Sequence, residues 1–130
     1  MEEEIGFTKE HEWVIIKEGL ALVGISDFAQ NQLGDIVSIE LPKIGSKFKY
    51  MEAMAIIDSI KASSDIYCPI SGEIVELNED LLEHPEQINQ SPYDLGWIVK
   101  IKPLNFKENI KEFTDLMSKE QYDKYVGEIE

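Results

Sequence analysis

Apolar and polar positions alternate in short β-type runs up to about residue 103, then recur at helical spacing. Trp13-Val14-Ile15-Ile16-Lys17 and Leu20-Ala21-Leu22-Val23-Gly24-Ile25 are two β-rich runs separated only by Glu18-Gly19, a two-residue hairpin connection. Ser26 suits the N-cap of a short helix over Asp27 to Leu33, closed by Gly34 at the C′ position. Asp35 to Leu41 reads as a strand whose second half sets Ile39 and Leu41 against Ser38 and Glu40, and Pro42 stops it. Ile44-Gly45-Ser46 is a turn, and Phe48 to Ile60 brings the chain to Lys61. Beyond it, Asp65-Ile66-Tyr67-Cys68 leads to the turn Pro69-Ile70-Ser71-Gly72 and a strand over Glu73 to Leu77. The stretch 78–92, with two prolines and two asparagines, reads as a helical turn and loops. Trp97 to Lys102 is a further strand, stopped by Pro103.

One six-residue pattern occurs twice. Gly34-Asp35-Ile36-Val37-Ser38-Ile39 is echoed by Gly72-Glu73-Ile74-Val75-Glu76-Leu77, one copy on each side of Lys61. Two similar β-units with a lysine at their junction predict a sandwich of pseudo-twofold design. After Pro103, Phe106, Ile110, Phe113 and Leu116 or Met117 mark one amphipathic helix, with Asn105 and Glu108 as a capping box. Ser118 and Gln121 repeat that box ahead of Tyr122, Tyr125 and Val126. The expected fold is therefore mainly β (α+β), with short flanking helices and a C-terminal helical segment packed on the sheets. We expect a single domain over 1–130, its sandwich core at about 7–103 and its C-terminal helices at about 105–126.

Composition narrows the function classes. Hydrophobic residues make up 43% and charged residues 29%, which is ordinary for a folded domain and argues against wholesale disorder. The charge is not ordinary: 12 cations, all lysine, face 26 carboxylates, for a net charge of −14. Such a field repels nucleic acid and anionic membranes and suits docking on basic partner surfaces. Cys68 is the single cysteine, so neither an internal disulfide nor a thiolate metal cluster can form. The opening Met1-Glu2-Glu3-Glu4-Ile5 has neither signal-peptide nor transit-peptide character, and no apolar run approaches the ~20 residues that span a bilayer. A cytoplasmic monomer with no membrane association is expected.

Little else in the chain points to catalysis. His11 and His84 are far apart and in no metal-ligand spacing, and no metal site is expected. His11 reads as a surface or edge residue among acidic neighbours. Phosphate loops, nucleophile elbows and zinc-protease helices are absent, and with 26 carboxylates any acid pair is uninformative. Lys61 remains, at the tip of a predicted hairpin. An exposed ammonium is a poor nucleophile unaided, so an attaching enzyme would have to supply the activation. The attraction of the site is mechanical: a rigid tip offers the amine to large partners, as a tethered cofactor requires.

The residues around that tip resemble the glycine cleavage system H protein family. Lys9-Glu10-His11-Glu12-Trp13 looks like the family's opening strand, and 23–37 resembles its most recognisable block. Asp58-Ser59-Ile60-Lys61-Ala62 matches its lipoylation motif, usually Glu-Ser-Val-Lys-Ala. Asp65-Ile66-Tyr67, Pro69-Ile70-Ser71-Gly72-Glu73, Ser91-Pro92-Tyr93 and Gly96-Trp97 complete a match from about Phe7 to Tyr125. The resemblance implies a lipoyl/biotinyl-type flattened β-barrel sandwich and lipoate in amide linkage to Lys61. It implies a non-catalytic carrier that takes an aminomethyl group from a pyridoxal-phosphate-dependent glycine decarboxylase to a tetrahydrofolate-dependent aminomethyltransferase. Dihydrolipoamide dehydrogenase and a lipoate-attaching enzyme are the further implied partners. In the family the loaded arm folds back on the protein body, and by position Glu12 and Asp65 are the acids expected near its amine.

Asp58 stands where Glu is usual, Ile60 where Val is, and Cys68 where a small Ser or Ala is more common. Cys68 is expected to be buried. The stretch 48–54 lacks the glycine that the family often has at its turn. Two other readings exist. A biotinyl carrier would share the sandwich, but Lys61 has no flanking methionine. An H-like paralogue would use the same hairpin for lipoate relay or lipoyl-dependent redox signalling.

Overall fold

The computed structural model describes residues 5–104 and 106–129, apart from the side chains of 106–110. Two unclosed antiparallel sheets make up the β structure of the described residues. The larger one contains β1 (Ile5–Phe7), β2 (Glu12–Lys17), β3 (Leu20–Ile25), β5 (Lys47–Phe48), β8 (Gly72–Leu77) and β9 (Val99–Pro103). Its strand order is β1-β2-β3-β9-β8-β5. The smaller contains β4 (Ile36–Glu40), β6 (Ala53–Ser59) and β7 (Ser63–Tyr67), in the order β4-β6-β7. Among the described residues five helices punctuate them: α1 (Asp27–Leu33), α2 (Asp80–Glu83), α3 (Gln87–Gln90), α4 (Phe106–Asp115) and α5 (Lys119–Ile129).

The β2–β3 hairpin turns at Glu18 and Gly19, with φ of 53° and 79°. Positive φ at both positions is what lets a two-residue turn match the strand twist. The block 9–13 is only partly a strand. His11 has φ 76°, Thr8 N–H donates to Glu12 O at 2.9 Å, and His11 N–H returns to Thr8 O at 3.2 Å. A turn therefore precedes Glu12, and the sheet opens earlier, at β1, paired to β2 through Phe7↔Trp13.

The two echoed segments form β4 and β8, one in each sheet. Both ladders break register at the equivalent step, between Ile36 and Ser38 and between Ile74 and Glu76. A bulge adds one residue and reverses the alternation beyond it. Ile36 and Ile39 consequently both point inward although three residues apart, and Val37 is left exposed. The core between the sheets joins Val14, Val23, Ile25, Ile74 and Ile101 of the larger to Ile36, Ile39, Ile57 and Ile66 of the smaller. Cys68 is fully buried there, its thiol donating to Ile70 O at 3.0 Å, and burial pushes its pKa up to about 12. It behaves as a small hydrophobe.

At the C-terminal end, Ser118 and Gln121 form the expected reciprocal cap. Ser118 N–H donates to Gln121 Oε1 at 2.9 Å and Gln121 N–H to Ser118 Oγ at 3.2 Å. α5 then lays Tyr122 on Phe7, ring centroids 4.2 Å apart and nearly parallel. Phe113 and Leu116 pack on the main core. The Asn105–Glu108 capping box, and the side chains of Phe106 and Ile110, lie outside the described residues.

Candidate functional site: a lysine hairpin beside a cleft

β6 and β7 pair through Asp58↔Ser63 and Ile57↔Ser64, leaving a four-residue tip over 59–62. Ser59 organises it. Its N–H donates to Ala62 O at 2.9 Å, and its Oγ accepts from Lys61 N–H and Ala62 N–H, both at 3.2 Å. Asp58 braces the strands below, accepting from Ser38 Oγ at 3.1 Å and from Ser63 Oγ. A side-chain oxygen that satisfies turn amides is the usual way to hold such a loop without glycine. Lys61 is exposed at the tip, as the sequence predicts.

The tip does not stand clear of the body. Ile60 N–H donates to Asp35 O at 3.0 Å. The Lys61 side chain lies over Gly34: a Cβ at that glycine would stand 3.4 Å from Lys61 Cε and 3.8 Å from Nζ. Gly34 has φ 77° and ψ −158°, a region open essentially to glycine alone. Its role is thus twofold, ending α1 and giving the lysine a flat floor.

Beside this junction is a cleft of about 300 Å³ between α1, the start of β2 and the β6–β7 hairpin. Ile25, Phe28, Leu33, Ile57 and Ile66 give it an apolar wall, and Glu10, Glu12 and Asp65 give it acid. Both acids singled out from the sequence therefore line one cleft. Asp65 is exposed, on β7 and four residues along the chain from Lys61. Glu12 is 1% exposed, accepting from Thr8 Oγ at 2.6 Å and from Tyr67 N–H at 3.2 Å. Burial outweighs these two bonds and pushes its pKa up to about 7.

His11 also lines the cleft and is no simple surface residue. It is half-buried, its ring 4.9 Å from that of Phe28, and Nδ1 is 2.8 Å from Tyr122 Oη. Tyr122 Oη is 2.6 Å from Ser26 Oγ, which caps α1 through Ala29 N–H. Burial lowers the His11 pKa, so the ring is mainly neutral at pH 7. Sequence reasoning missed it because its signal is a backbone one, positive φ in a non-glycine residue, which no residue pattern announces. Among the described residues, no three His, Cys, Asp or Glu side chains come together to hold a metal ion.

A two-sheet sandwich that displays a lysine on a braced hairpin, beside an apolar cleft with an acidic lining, defines a carrier domain. The family model for the glycine cleavage H-protein matches residues 5–129. The chain is 48% identical over 128 residues to the glycine cleavage system H protein of Halothermothrix orenii, covering 98% of this chain and 97% of that one. It is 50% identical over 122 residues to a probable glycine cleavage system H protein of Aeropyrum pernix, covering 94% and 82% respectively. The crystal structure of a glycine cleavage system H protein from Mycobacterium marinum superposes with a TM-score of 0.81 at 29% identity, over 98% of both chains. The chain belongs to the glycine cleavage H-protein family, and its role is that of the carrier protein of glycine cleavage.

Proposed function

We infer that Lys61 carries lipoate as an amide, and that the chain shuttles the aminomethyl group of glycine on that arm without a reaction of its own. The observation that carries this reading is the adjacency of the braced Lys61 turn and the cleft lined by Glu12 and Asp65. Bound lipoate supplies a dithiol–disulfide couple and a sulfur that accepts a one-carbon unit, chemistry that no side chain offers. The residues suit such an arm. Ile25, Phe28, Leu33, Ile57 and Ile66 match its hydrocarbon, while Glu12 and Asp65 match an ammonium at its loaded end. In this partly dry site the carboxylates attract a cation more strongly than they would in water. By excluding water, the cleft protects a hydrolysable adduct between partners.

Loading by a pyridoxal-phosphate-dependent glycine decarboxylase, unloading by a tetrahydrofolate-dependent aminomethyltransferase and reoxidation by dihydrolipoamide dehydrogenase complete the assignment. Among the described residues no helix is long and apolar enough to cross a membrane. A cytoplasmic monomer, folded as a single domain over 1–130, fits this role. Reconstitution tests it: lipoylated protein should support glycine–bicarbonate exchange with the decarboxylase, and Lys61→Arg should not. A lipoylated protein that fails would redirect the assignment to lipoate relay or signalling.

A further inference from the structure

The lysine turn rests on segment 34–36, which runs from the end of α1 into the first residue of β4, and one side chain from α3 bonds to both its ends. Asn89 accepts from Ile36 N–H through Oδ1 at 3.0 Å. Its Nδ2 donates to Gly34 O at 2.9 Å and to Gln30 Oε1 at 3.0 Å. The amide orientation is fixed by chemistry, since the flipped form would set NH₂ against N–H and oxygen against a carbonyl. These backbone groups need a side-chain partner: Gly34 O lies past the end of α1, where carbonyls lack intrahelical donors.

The opposite side of the same segment carries the turn. Asp35 O accepts from Ile60 N–H, and Gly34 is the floor beneath the Lys61 methylenes. The bonds that Ser59 Oγ makes close within the hairpin itself, and the Ile60–Asp35 bond ends the β4–β6 ladder just beyond the Ile36↔Ser59 pair, where the tip meets the body. The connection is continuous, from Asn89 through 34–36 to Ile60 and Lys61.

We propose that Asn89 is the positioning residue for the lysine: by fixing segment 34–36 it sets where the Ile60–Lys61 turn stands and so how readily an attaching enzyme takes up Lys61. The proposal rests on the assignment of Lys61 as the attachment site. Without the clamp, segment 34–36 and the Ile60–Asp35 bond that it carries are held less firmly, and restoring the tip's position at each encounter weakens binding of the carrier while leaving the chemical step alone.

The test compares Asn89→Ala with Asn78→Ala in the full chain. Asn78 is a control clamp, donating to Leu95 O at 2.9 Å and Trp97 O at 2.7 Å without touching segment 34–36. With a lipoate ligase, lipoate and ATP, Asn89→Ala should raise KM for the carrier about tenfold with kcat within about twofold. The Ile60 amide, outside direct contact with Asn89, should exchange with solvent about tenfold faster. Asn78→Ala should move neither reading. Should Asn89→Ala not fold, Asn89→Asp keeps the acceptor for Ile36 N–H, makes the Gly34 O contact repulsive, and should show both changes. Wild-type values in the Asn89 variants, or equal changes in Asn78→Ala, would overturn the proposal. A wild-type protein that the ligase leaves unmodified would instead overturn the Lys61 assignment, and Ile60 exchange would still report on the clamp.

Discussion

At the scale of single residues, the site is built from groups in costly states. Glu12 is a carboxyl almost sealed from solvent, and His11 is a non-glycine residue at φ 76°. Non-glycine residues accept such φ values only where their surroundings over-determine them, and they cluster at functional sites. Glu12 also gives a pH signature. Its folded pKa of about 7 exceeds the usual 4.5, so the folded state holds the proton more tightly across that window. The stability this group contributes is fully present below about 4.5 and is lost as pH rises through about 7. Chemical denaturation across that range should therefore show Glu12→Gln gaining stability relative to the parent as pH rises. An unchanging difference would mean that Glu12 titrates normally.

At the scale of elements, what could be read in the sequence was local. α1 ends where Ser26 and Gly34 place its caps, and the second C-terminal helix begins at its Ser118–Gln121 box, because capping is decided within four residues. β1 and β5, of three and two residues, carry no periodic signal and were invisible. The bulges in β4 and β8 were equally hidden, since a bulge is defined by the partner strand. The stretch lacking the family's frequent glycine keeps its turn nonetheless: Met51 adopts φ 64° and donates its N–H to Cys68 O. A side chain there is strained, whereas glycine is at ease but loses more entropy on folding. Met51→Gly should accordingly raise the unfolding free energy by up to about 1 kcal/mol in a denaturant melt. A loss of stability would show that Met51 packing outweighs the strain.

At the scale of the whole molecule, a rigid sandwich holds one lysine outward and keeps a cleft within reach of it. The lysine was legible because its motif and its junction position coincide in sequence. The cleft was legible only at Glu12 and Asp65, since Phe28, Leu33 and His11 join them through tertiary packing. The net charge of −14 belongs to this scale as well. Exposed charges steer encounters and are screened within about 10 Å at 0.1 M salt. Association with partner enzymes should slow several-fold between about 0.05 and 0.5 M salt, with dissociation less affected. Salt-independent association rates would assign the acidity to solubility alone.

The central claim, that Lys61 is the tether, is most directly tested by the intact mass of protein made in cells supplied with lipoate, followed by mapping of the modified peptide. One lipoyl amide on the peptide containing Lys61, absent from Lys61→Arg, is the predicted result. An unmodified chain under those conditions, or an adduct that survives Lys61→Arg, would contradict it.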